Sequence, residues 1–352
     1  MAPSCQHPAR FRPIFDELDG VDSQWVRAHK RQGCLLTSYR KFAGPRAAEG
    51  ELELPEDQIE RLLDSPTHRV SVVLVTYNRA ALLNRTIEGL LHQTFADFEL
   101  IIADDASPDE TRQICEEWAR RDGRVKYHRR PVNVKMPENL NLGILSSTGE
   151  YVAILHDDDI YRSDLLEKWS ASLDEFPNAA FVFNTYPVLD KDGNVRLVVR
   201  MPLPRCSPGS VLLEEIYFKR WRLNSPVWGC AMIRRSALDR VGLFDARYGF
   251  WADVAMWMRL AEEFDVCYVD EPLITITSRL VAPHQFDDRA ARTLAAADAM
   301  FWEARMRHYR DRPIRKIGEG VRHLAFVWAL SGMNVASRIN HFLRPNRRSN
   351  RW

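Results

Sequence analysis

The sequence predicts an α/β protein with a mainly parallel central sheet that is flanked by helices. Residues 69–75 form a run rich in β-branched valine, which is typical of a parallel strand covered on both faces. Apolar residues at helical spacing follow this run directly, and the same strand-then-helix pattern starts again at residue 98. Strands that alternate with helices at this spacing form right-handed βαβ units, so we expect one sheet with helices on its faces.

Composition limits the classes of protein to which the chain can belong. The 352 residues are 45% hydrophobic and 28% charged, which is enough to bury a full core and excludes disordered and fibrous classes. One large domain with appendages or two domains would fit this length. The net charge of +1 gives no overall attraction to nucleic acid, so no nucleic-acid partner is expected.

The cysteines and the N-terminal residues indicate a compartment. Six cysteines are scattered without a Cys-x-x-Cys pair or the spacing of zinc ligands, so we expect free thiols in a reducing environment. Residues 1–13 contain no apolar segment of the kind found in signal peptides. The sequence therefore predicts a cytoplasmic protein.

The predicted elements follow one another along the chain. Residues 1–68 show no clear period apart from a short helix at 54–63, and their sequence indicates no function. We expect strands at residues 69–75, 98–103, 125–128 and 151–155. We expect helices over the apolar positions 82–91 and at residues 110–121 and 138–147.

Polar segments follow three of these strands, at residues 76–79, 104–109 and 156–159. Ligands of open α/β sheets bind at the carboxyl ends of the strands, so these segments predict one shared site. The third contains adjacent carboxylates at 157–159, which repel one another unless water or a cation screens them. Hard oxygen ligands suit a magnesium or manganese ion that bridges phosphates. A solvated acidic turn before a helix near Ser163 is the alternative.

Taken together, seven segments between residues 69 and 284 resemble the inverting glycosyltransferases of family 2. They are VTYNR (75–79), IADDASPDET (102–111), NLG (141–143) with GEY (149–151), LHDDD (155–159), GCAMIRRS (229–236), VGLFD (241–245), and WADVAMWMRL (251–260) leading to YVDEPL (268–273). The resemblance implies a GT-A fold at 69–286, with a nucleotide-binding half at 69–160 and an acceptor half at 161–286. It also implies a glycosyltransferase, commonly of bacterial cell-envelope polysaccharide biosynthesis.

The resemblance assigns several residues to the nucleotide. It places Thr76 and Tyr77 beside the base and Arg79 against phosphate. Asp105 would accept a hydrogen bond from the N–H of a uracil or thymine, which favours UDP- or TDP-sugars as donors. Capping of the helix near Glu110 is the alternative role for Asp105.

The segment before the acidic turn departs from the family pattern. Asn141 matches a nucleotide-binding position, but Leu140 stands where many members have arginine. Lys135 is therefore the candidate for the missing cationic contact with phosphate or ribose.

The acidic segment is implied to hold the ribose and a divalent cation, Mn²⁺ or Mg²⁺. Asp157 would bond the ribose and Asp158 would bind the metal, with Asp159 as a further metal-site acid or a cap for the following helix. His156 replaces the first aspartate of the commonest family motif. A structural hydrogen bond and a ribose or metal contact are both open for His156.

Asp253 matches the position of the family's catalytic base, while Ala252 replaces the glutamate that usually precedes it. An inverting transfer needs one carboxylate to take the proton of the acceptor hydroxyl, so one acid suffices. The alternative role for Asp253 is the N-cap of a helix at 254–262.

Further contacts with donor or acceptor are expected from the acceptor half. Trp228 and Trp251 are candidates for stacking on sugar faces, with core packing as the alternative, and Gly229 lies in a matching motif. Arg279 and His284 resemble the loop that closes over the diphosphate, with a surface histidine as the alternative for His284.

Residues 287–352 predict a helical, basic extension. Its apolar face and terminal arginines fit three roles: packing or an oligomer contact, peripheral contact at the inner face of an anionic membrane, or insertion. The implied partners are a nucleotide diphospho-sugar donor and a glycan or lipid-linked saccharide acceptor. A non-catalytic nucleotide-sugar-binding or scaffold protein of the same fold is the rival hypothesis, because Leu140 and Ala252 depart from the family pattern.

Overall fold

A computed structural model describes residues 68–218, 226–227, 229–277, 300–301 and 304. The helix predicted at 54–63 lies outside these residues, as do Trp228, Arg279 and His284. The accessory region lies outside them up to residue 67, and so does nearly all of the C-terminal extension. Of the helices that the structure describes, none has both the length and the apolar character needed to cross a bilayer.

Up to residue 156 the described strands and helices confirm the predicted strand–helix order, and the seven strands after it were not predicted. The strands are β1 (Val70–Thr76), β2 (Phe98–Asp104), β3 (Val125–Arg129), β4 (Tyr151–His156), β5 (Ile160–Tyr161), β6 (Ala179–Leu189), β7 (Val195–Val199), β8 (Cys206–Pro208), β9 (Ala231–Arg234), β10 (Asp265–Pro272) and β11 (Ile274–Thr277). The helices are α1 (Ala80–Leu91), α2 (Thr111–Arg121), α3 (Met136–Leu145), α4 (Leu165–Glu175), α5 (Gly209–Phe218), α6 (Arg235–Val241) and α7 (Ala252–Glu263), with a 3₁₀ segment at Ala246–Trp251.

Eight of the eleven described strands form the main path of one sheet, in the order β3-β2-β1-β4-β9-β6-β10-β8. β7 and β11 pair with β6 beside this path, and β5 pairs with β11. The first four strands are parallel, as predicted. The other half is mixed, because β9 is antiparallel to both β4 and β6. β1 pairs in register with both neighbours, Thr76 opposite Asp104 and Val75 opposite His156. The three polar segments that follow these strands therefore start side by side at one edge.

Helices cover both faces of the sheet. The core on one face contains residues of α3, α5, α6 and α7, and the core on the other contains residues of α1, α2 and α4. Trp257 of α7 packs against Phe181 and Phe244, with ring centroids 5.3 and 6.0 Å away. Leu140, which stands where the resemblance led us to expect arginine, lies in the same core and is buried.

A buried carboxylate joins the strands at the opposite edge. Glu99 of β2 accepts hydrogen bonds from the Ser71 hydroxyl (2.6 Å), Lys126 (2.6 Å) and the Thr148 amide (2.8 Å). Burial alone would raise the pKa of Glu99, but these bonds outweigh it and hold the pKa below the ordinary 4.5. The ionised carboxylate is therefore part of the folded state.

We expect Glu99→Gln to lower the free energy of unfolding by about 2–4 kcal/mol at pH 7, because Lys126 loses its charged partner and the buried donors lose an acceptor. A depressed pKa contributes stability above the unfolded value that is lost as pH falls, so the difference from the unmodified protein should shrink below pH 4.5. Urea unfolding followed by circular dichroism measures both effects. In the exposed Arg112–Glu116 pair, Glu116→Gln should leave the free energy of unfolding nearly unchanged. Equal losses in the two variants would contradict this role for Glu99.

Candidate active site

The predicted site residues Thr76, Asp105 and His156 come together at the carboxyl edge of β1, β2 and β4. Thr76 is buried at the end of β1, and its carbonyl accepts a hydrogen bond from the Asp105 amide at 3.0 Å. The structure thus brings the three polar segments to one place, as their positions after parallel strands predicted.

Strained backbone is concentrated at this edge. Among the described residues, positive φ angles at non-glycine positions occur at Asn78 (56°), Ala106 (62°) and Lys135 (79°). These residues lie in the loops that follow β1, β2 and β3. Such conformations cost free energy and cluster at ligand-binding sites, so this observation independently marks the edge as a functional site.

The loop after β1 is fastened to the loop after β2. The Asn78 amide donates to the Ser107 hydroxyl at 2.9 Å, and the Ala80 amide donates to Asp109 at 2.9 Å. Tyr77 remains 47% exposed between these contacts, and Arg79 is partly exposed. A fixed loop therefore presents an accessible ring and a cation beside the buried acids.

Asp105 holds a second loop. Its two carboxylate oxygens accept hydrogen bonds from the backbone amides of Val134 (2.7 Å) and Lys135 (2.9 Å). These bonds stabilise the strained backbone of Lys135, whose side chain is exposed. Helix capping was the alternative role for Asp105. Asp109 fills this role instead, since its carboxylate accepts a hydrogen bond from the Thr111 amide at the start of α2. A base contact by Asp105 would use a remaining lone pair, and it stays a prediction.

Asn141 is occupied within the protein. Its amide nitrogen donates to the Phe244 carbonyl at 2.8 Å, and its oxygen accepts from the Phe244 amide at 2.9 Å. The side chain is buried and ties α3 to the chain before the 3₁₀ segment. The structure therefore shows a structural contact for Asn141, and its predicted contact with the nucleotide remains a prediction.

The backbone of the acidic turn is held firmly. The Tyr161 hydroxyl accepts from the His156 amide at 2.8 Å and donates to the His156 carbonyl at 2.6 Å. The carbonyl of Asp157 accepts from a threonine, and that of Asp158 accepts from an arginine and a threonine. These donors are Thr86 (2.9 Å), Arg85 (3.0 Å) and Thr277 (2.9 Å). Because these hydrogen bonds fix the backbone of the turn, the positions from which its carboxylate side chains extend are also fixed.

Electrostatics make the turn receptive to a cation. Burial and the neighbouring Asp159 charge raise the pKa of Asp158 to about 6. Burial also raises the pKa of Asp157, although the Thr76 hydroxyl and the Arg79 charge oppose it. Crowded carboxylates that resist ionisation are stabilised as anions by a divalent ion, so the donor set fits Mg²⁺ or Mn²⁺.

The Asp159 side chain contacts β11, His156 and Cys230 and does not cap the helix α4 that follows. Its Oδ1 accepts from the Thr277 amide at 3.2 Å, and its Oδ2 lies 3.6 Å from His156 Nδ1 and 3.9 Å from Cys230 Sγ. α4 begins at Leu165, six residues later, so the capping alternative for Asp159 is wrong. Asp159 instead fastens β11 to the acidic turn.

Asp253 lies at the second residue of α7. The helix begins at Ala252, so the alternative of an N-cap for a helix starting at 254 is wrong. The Asp253 carboxylate accepts from the Val254 amide at 2.7 Å, and burial raises its pKa to about 6 against the opposing charge of His156. Ala252 is fully buried, so a glutamate there would place a charge in the core.

Gly229 connects the acidic turn to Asp253. Its φ is 71°, and a Cβ added there would lie 2.8 Å from His156 Cε1, 2.9 Å from His156 Nε2 and 3.4 Å from Asp253 Oδ2. Glycine therefore allows the imidazole and the carboxylate to flank the same point in space. This approach brings together residues that are far apart in sequence.

Trp251 is placed for packing. Its ring meets Phe301 edge-on at 6.3 Å and Phe250 at 5.6 Å, which supports the packing alternative over a sugar contact. Sequence reasoning missed Tyr161 and Thr277, which position the acidic turn. The signal for Cys230 was available, since it directly follows Gly229 in a matching motif.

Comparison with known proteins supports the resemblance to glycosyltransferase family 2. The family described as "Glycosyl transferase family 2" matches residues 71–242. Glycosyltransferase GlyG of Streptococcus pneumoniae serotype 4 is 30% identical over 125 residues, 36% of this chain and 42% of the relative. The GalNAc(5)-diNAcBac-PP-undecaprenol beta-1,3-glucosyltransferase of Campylobacter jejuni is 33% identical over 128 residues, 36% of this chain and 40% of the relative.

These alignments span about two fifths of the length of the two curated relatives. Among solved structures, residues 1–349 of S. aureus TarS in complex with UDP-GlcNAc have 19% identity and a TM-score of 0.48, covering 69% of this chain and 73% of that one.

We expect Asp158→Asn to stabilise the protein without divalent ions above pH 6. A pKa raised to about 6 means that the folded state favours the protonated acid, so ionisation between about pH 4 and 6 costs stability that the amide does not lose. The gain in free energy of unfolding should be about 1–3 kcal/mol at pH 8 and near zero at pH 4. Denaturant unfolding in the presence of a chelator measures it.

Asp164 is the matched control, because hydrogen bonds and charge from Arg162 lower its pKa. Asp164→Asn should therefore reduce stability at pH 8, opposite in sign to Asp158→Asn. A loss of stability at pH 8 in both variants would contradict the electrostatic description of the acidic turn.

Proposed function

We propose that this chain, whose residues 71–242 match the model of glycosyltransferase family 2, transfers a sugar with inversion from a nucleotide diphospho-sugar to a hydroxyl group. UDP- or TDP-sugars are the favoured donors, and a glycan or lipid-linked saccharide is the acceptor. The carrying observation is that Gly229 brings Asp253 and the acidic turn to one point. An inverting transfer needs this combination, because the base and the leaving group must act on opposite sides of one anomeric carbon.

The nucleotide subsite is proposed at the ends of β1 and β2. Tyr77 is exposed for contact with the base, and Arg79 supplies positive charge near Asp157 and Asp158. Asp105, held by two backbone amides, is preorganised to accept from a base N–H. Asp157 is proposed to bond the ribose.

The cation of the diphosphate is proposed to bind at the acidic turn. Asp158 is its main ligand, because burial and the neighbouring Asp159 charge raise its pKa to about 6, and a cation would offset both. Asp159 contributes through its charge and its anchoring bond to Thr277. When bound, a divalent ion neutralises the charge that develops on the leaving diphosphate. The residues of the turn hold their oxygens in place for that role.

Asp253 is proposed as the general base. Its carboxylate takes the proton of the acceptor hydroxyl as that oxygen attacks the anomeric carbon, and the sugar–diphosphate bond breaks on the opposite side. A raised pKa suits this role, since a carboxylate with a pKa of about 6 is a stronger base than an ordinary aspartate and is still ionised at pH 7. His156, on the other side of Gly229, bounds the same space.

A lipid-linked acceptor is proposed on the strength of one relative. The Campylobacter jejuni protein is named for a PP-undecaprenol saccharide, and its similarity covers 36% of this chain. Contact of the C-terminal extension with a membrane would serve such an acceptor, and it remains a prediction for residues outside those described.

We expect Asp253→Asn to reduce transfer by about 10²- to 10⁴-fold while leaving UDP affinity nearly unchanged, because the amide cannot accept the proton. Release of nucleoside diphosphate from a panel of UDP- and TDP-sugars, with Mn²⁺ and a lipid-linked saccharide fraction, measures transfer. Calorimetry measures UDP binding. Glu262→Gln, an exposed change on the same helix, is the control and should retain activity.

The outcomes separate the hypotheses. Unchanged transfer in Asp253→Asn would exclude it as the base. Metal-dependent UDP binding by the unmodified protein without turnover on any donor would favour the binding-only rival.

We expect kcat/KM to fall as pH decreases through about 6, because protonated Asp253 cannot act as a base. At limiting Mn²⁺ the decline should be steeper, since Asp158 is also protonated near pH 6. At saturating Mn²⁺ the bound ion holds Asp158 ionised, so one ionisation should remain. A profile flat from pH 5 to 8 at both Mn²⁺ concentrations would contradict both assignments.

A further inference from the structure

Three side chains beside the acidic turn converge on one point without acting as a set in the proposed transfer. They are the His156 imidazole, the Asp159 carboxylate and the Cys230 thiol, whose donor atoms lie within 4.8 Å of one another. We propose that they form a binding site for a thiophilic divalent cation, with Zn²⁺ as the chemical type, distinct from the cation of the diphosphate.

Two of the three separations lie close to the edge lengths of a zinc coordination sphere, and the third is within 4.8 Å. Asp159 Oδ2 lies 3.6 Å from His156 Nδ1 and 3.9 Å from Cys230 Sγ. With bonds of about 2.0–2.1 Å to nitrogen and oxygen and about 2.3 Å to sulfur, tetrahedral ligand atoms are about 3.4 Å apart for N and O and about 3.6 Å apart for S and O. Both observed distances are about 0.2–0.3 Å longer than these ideal values, an amount that a small side-chain shift would close. The 3.6 Å between His156 Nδ1 and Asp159 Oδ2 is also too long for a good hydrogen bond.

The donors are preorganised by contacts outside the cluster. The second oxygen of Asp159 accepts from the Thr277 amide, which fixes Oδ2 toward the cluster. The backbone of His156 is held by Tyr161, and its ring occupies space that a side chain at position 229 would fill. Nδ1 thus faces Asp159, and Nε2 lies beside Gly229.

The donor types select the metal. Thiolate and imidazole ligands favour Zn²⁺ and Co²⁺, whereas Mg²⁺ and Mn²⁺ prefer oxygen. Cys230 and Asp159 are only 5% and 2% exposed, so water competes little with an ion held there. The His156 side chain is 31% exposed, which gives an ion a route in from solvent. Three protein ligands leave the fourth tetrahedral position to water.

Zinc at this site has a consequence that rests on the proposed function. It would engage Asp159 and His156 beside Asp158 and Gly229, so Zn²⁺ should inhibit Mn²⁺-dependent transfer. Cobalt spectroscopy and zinc affinity test the site without any turnover, so they can fail or succeed independently of the glycosyltransferase proposal.

The experiment titrates the full-length, metal-free protein with Co²⁺. We expect a thiolate-to-cobalt charge-transfer band and the strong visible absorption of tetrahedral cobalt, both displaced by Zn²⁺ and not by excess Mg²⁺. Cys230→Ser should abolish the charge-transfer band and weaken Zn²⁺ binding by at least about 100-fold. Loss of a residue that only supports a metal ligand weakens binding by about 10- to 100-fold, so the larger effect indicates a direct ligand. His156→Ala, a change at a partly exposed side chain, should weaken Zn²⁺ binding comparably.

Matched cysteine variants supply the controls. Cys115→Ser, Cys206→Ser and the double variant Cys5→Ser/Cys34→Ser should keep the band. Circular dichroism establishes that each variant is folded, and His156→Ala carries the test if Cys230→Ser is not. No band in the unmodified protein, a band that persists in folded Cys230→Ser, or Zn²⁺ affinity unchanged in His156→Ala would overturn the proposal.

Discussion

Mutual repulsion of three adjacent carboxylates in a nearly buried turn is the constraint on which the candidate site depends. The side chains of Asp157, Asp158 and Asp159 are each less than a tenth exposed. Because the three residues are consecutive in the chain, their carboxylates stay close together. The protein offsets the repulsion by fixing the backbone of the turn and by distributing neutralising contacts around it. Burial and the neighbouring Asp159 charge together raise the pKa of Asp158 and make the turn favourable for a cation, so the features that cost stability also provide the capacity for binding.

The departures from the family pattern follow from packing. Leu140 and Ala252 are both fully buried in the core, where a charged residue would need a partner that the neighbouring apolar side chains do not provide. His156, by contrast, lies at the edge of the site, between Asp159 on one side and Gly229 on the other. Leu140 and Ala252 therefore contribute to core packing, whereas His156 adds an imidazole to the site itself.

Much of the fold was predictable from the sequence because its signals are local. The β-branched run of β1 and the apolar spacing of α1 specify each element within a few residues, and the parallel order follows from their alternation. The mixed half of the sheet was harder, since β9 inserts between β4 and β6 from far along the chain. Asn141 shows the same limit in the site: its partner, the Phe244 backbone, is 103 residues away.

The sequence by itself determined the order of strands and helices as far as β4 and the acidic turn that follows it, because each depends on neighbouring residues. Only the tertiary structure decided that Gly229 brings His156 beside Asp253, and that Cys230 joins Asp159 across 71 residues. No cysteine spacing indicates a metal site here, since its ligands come from two strand ends and not from one loop. Long-range strand pairing, which places those ends together, is set by the packing of the whole sheet and cannot be deduced from local periodicity.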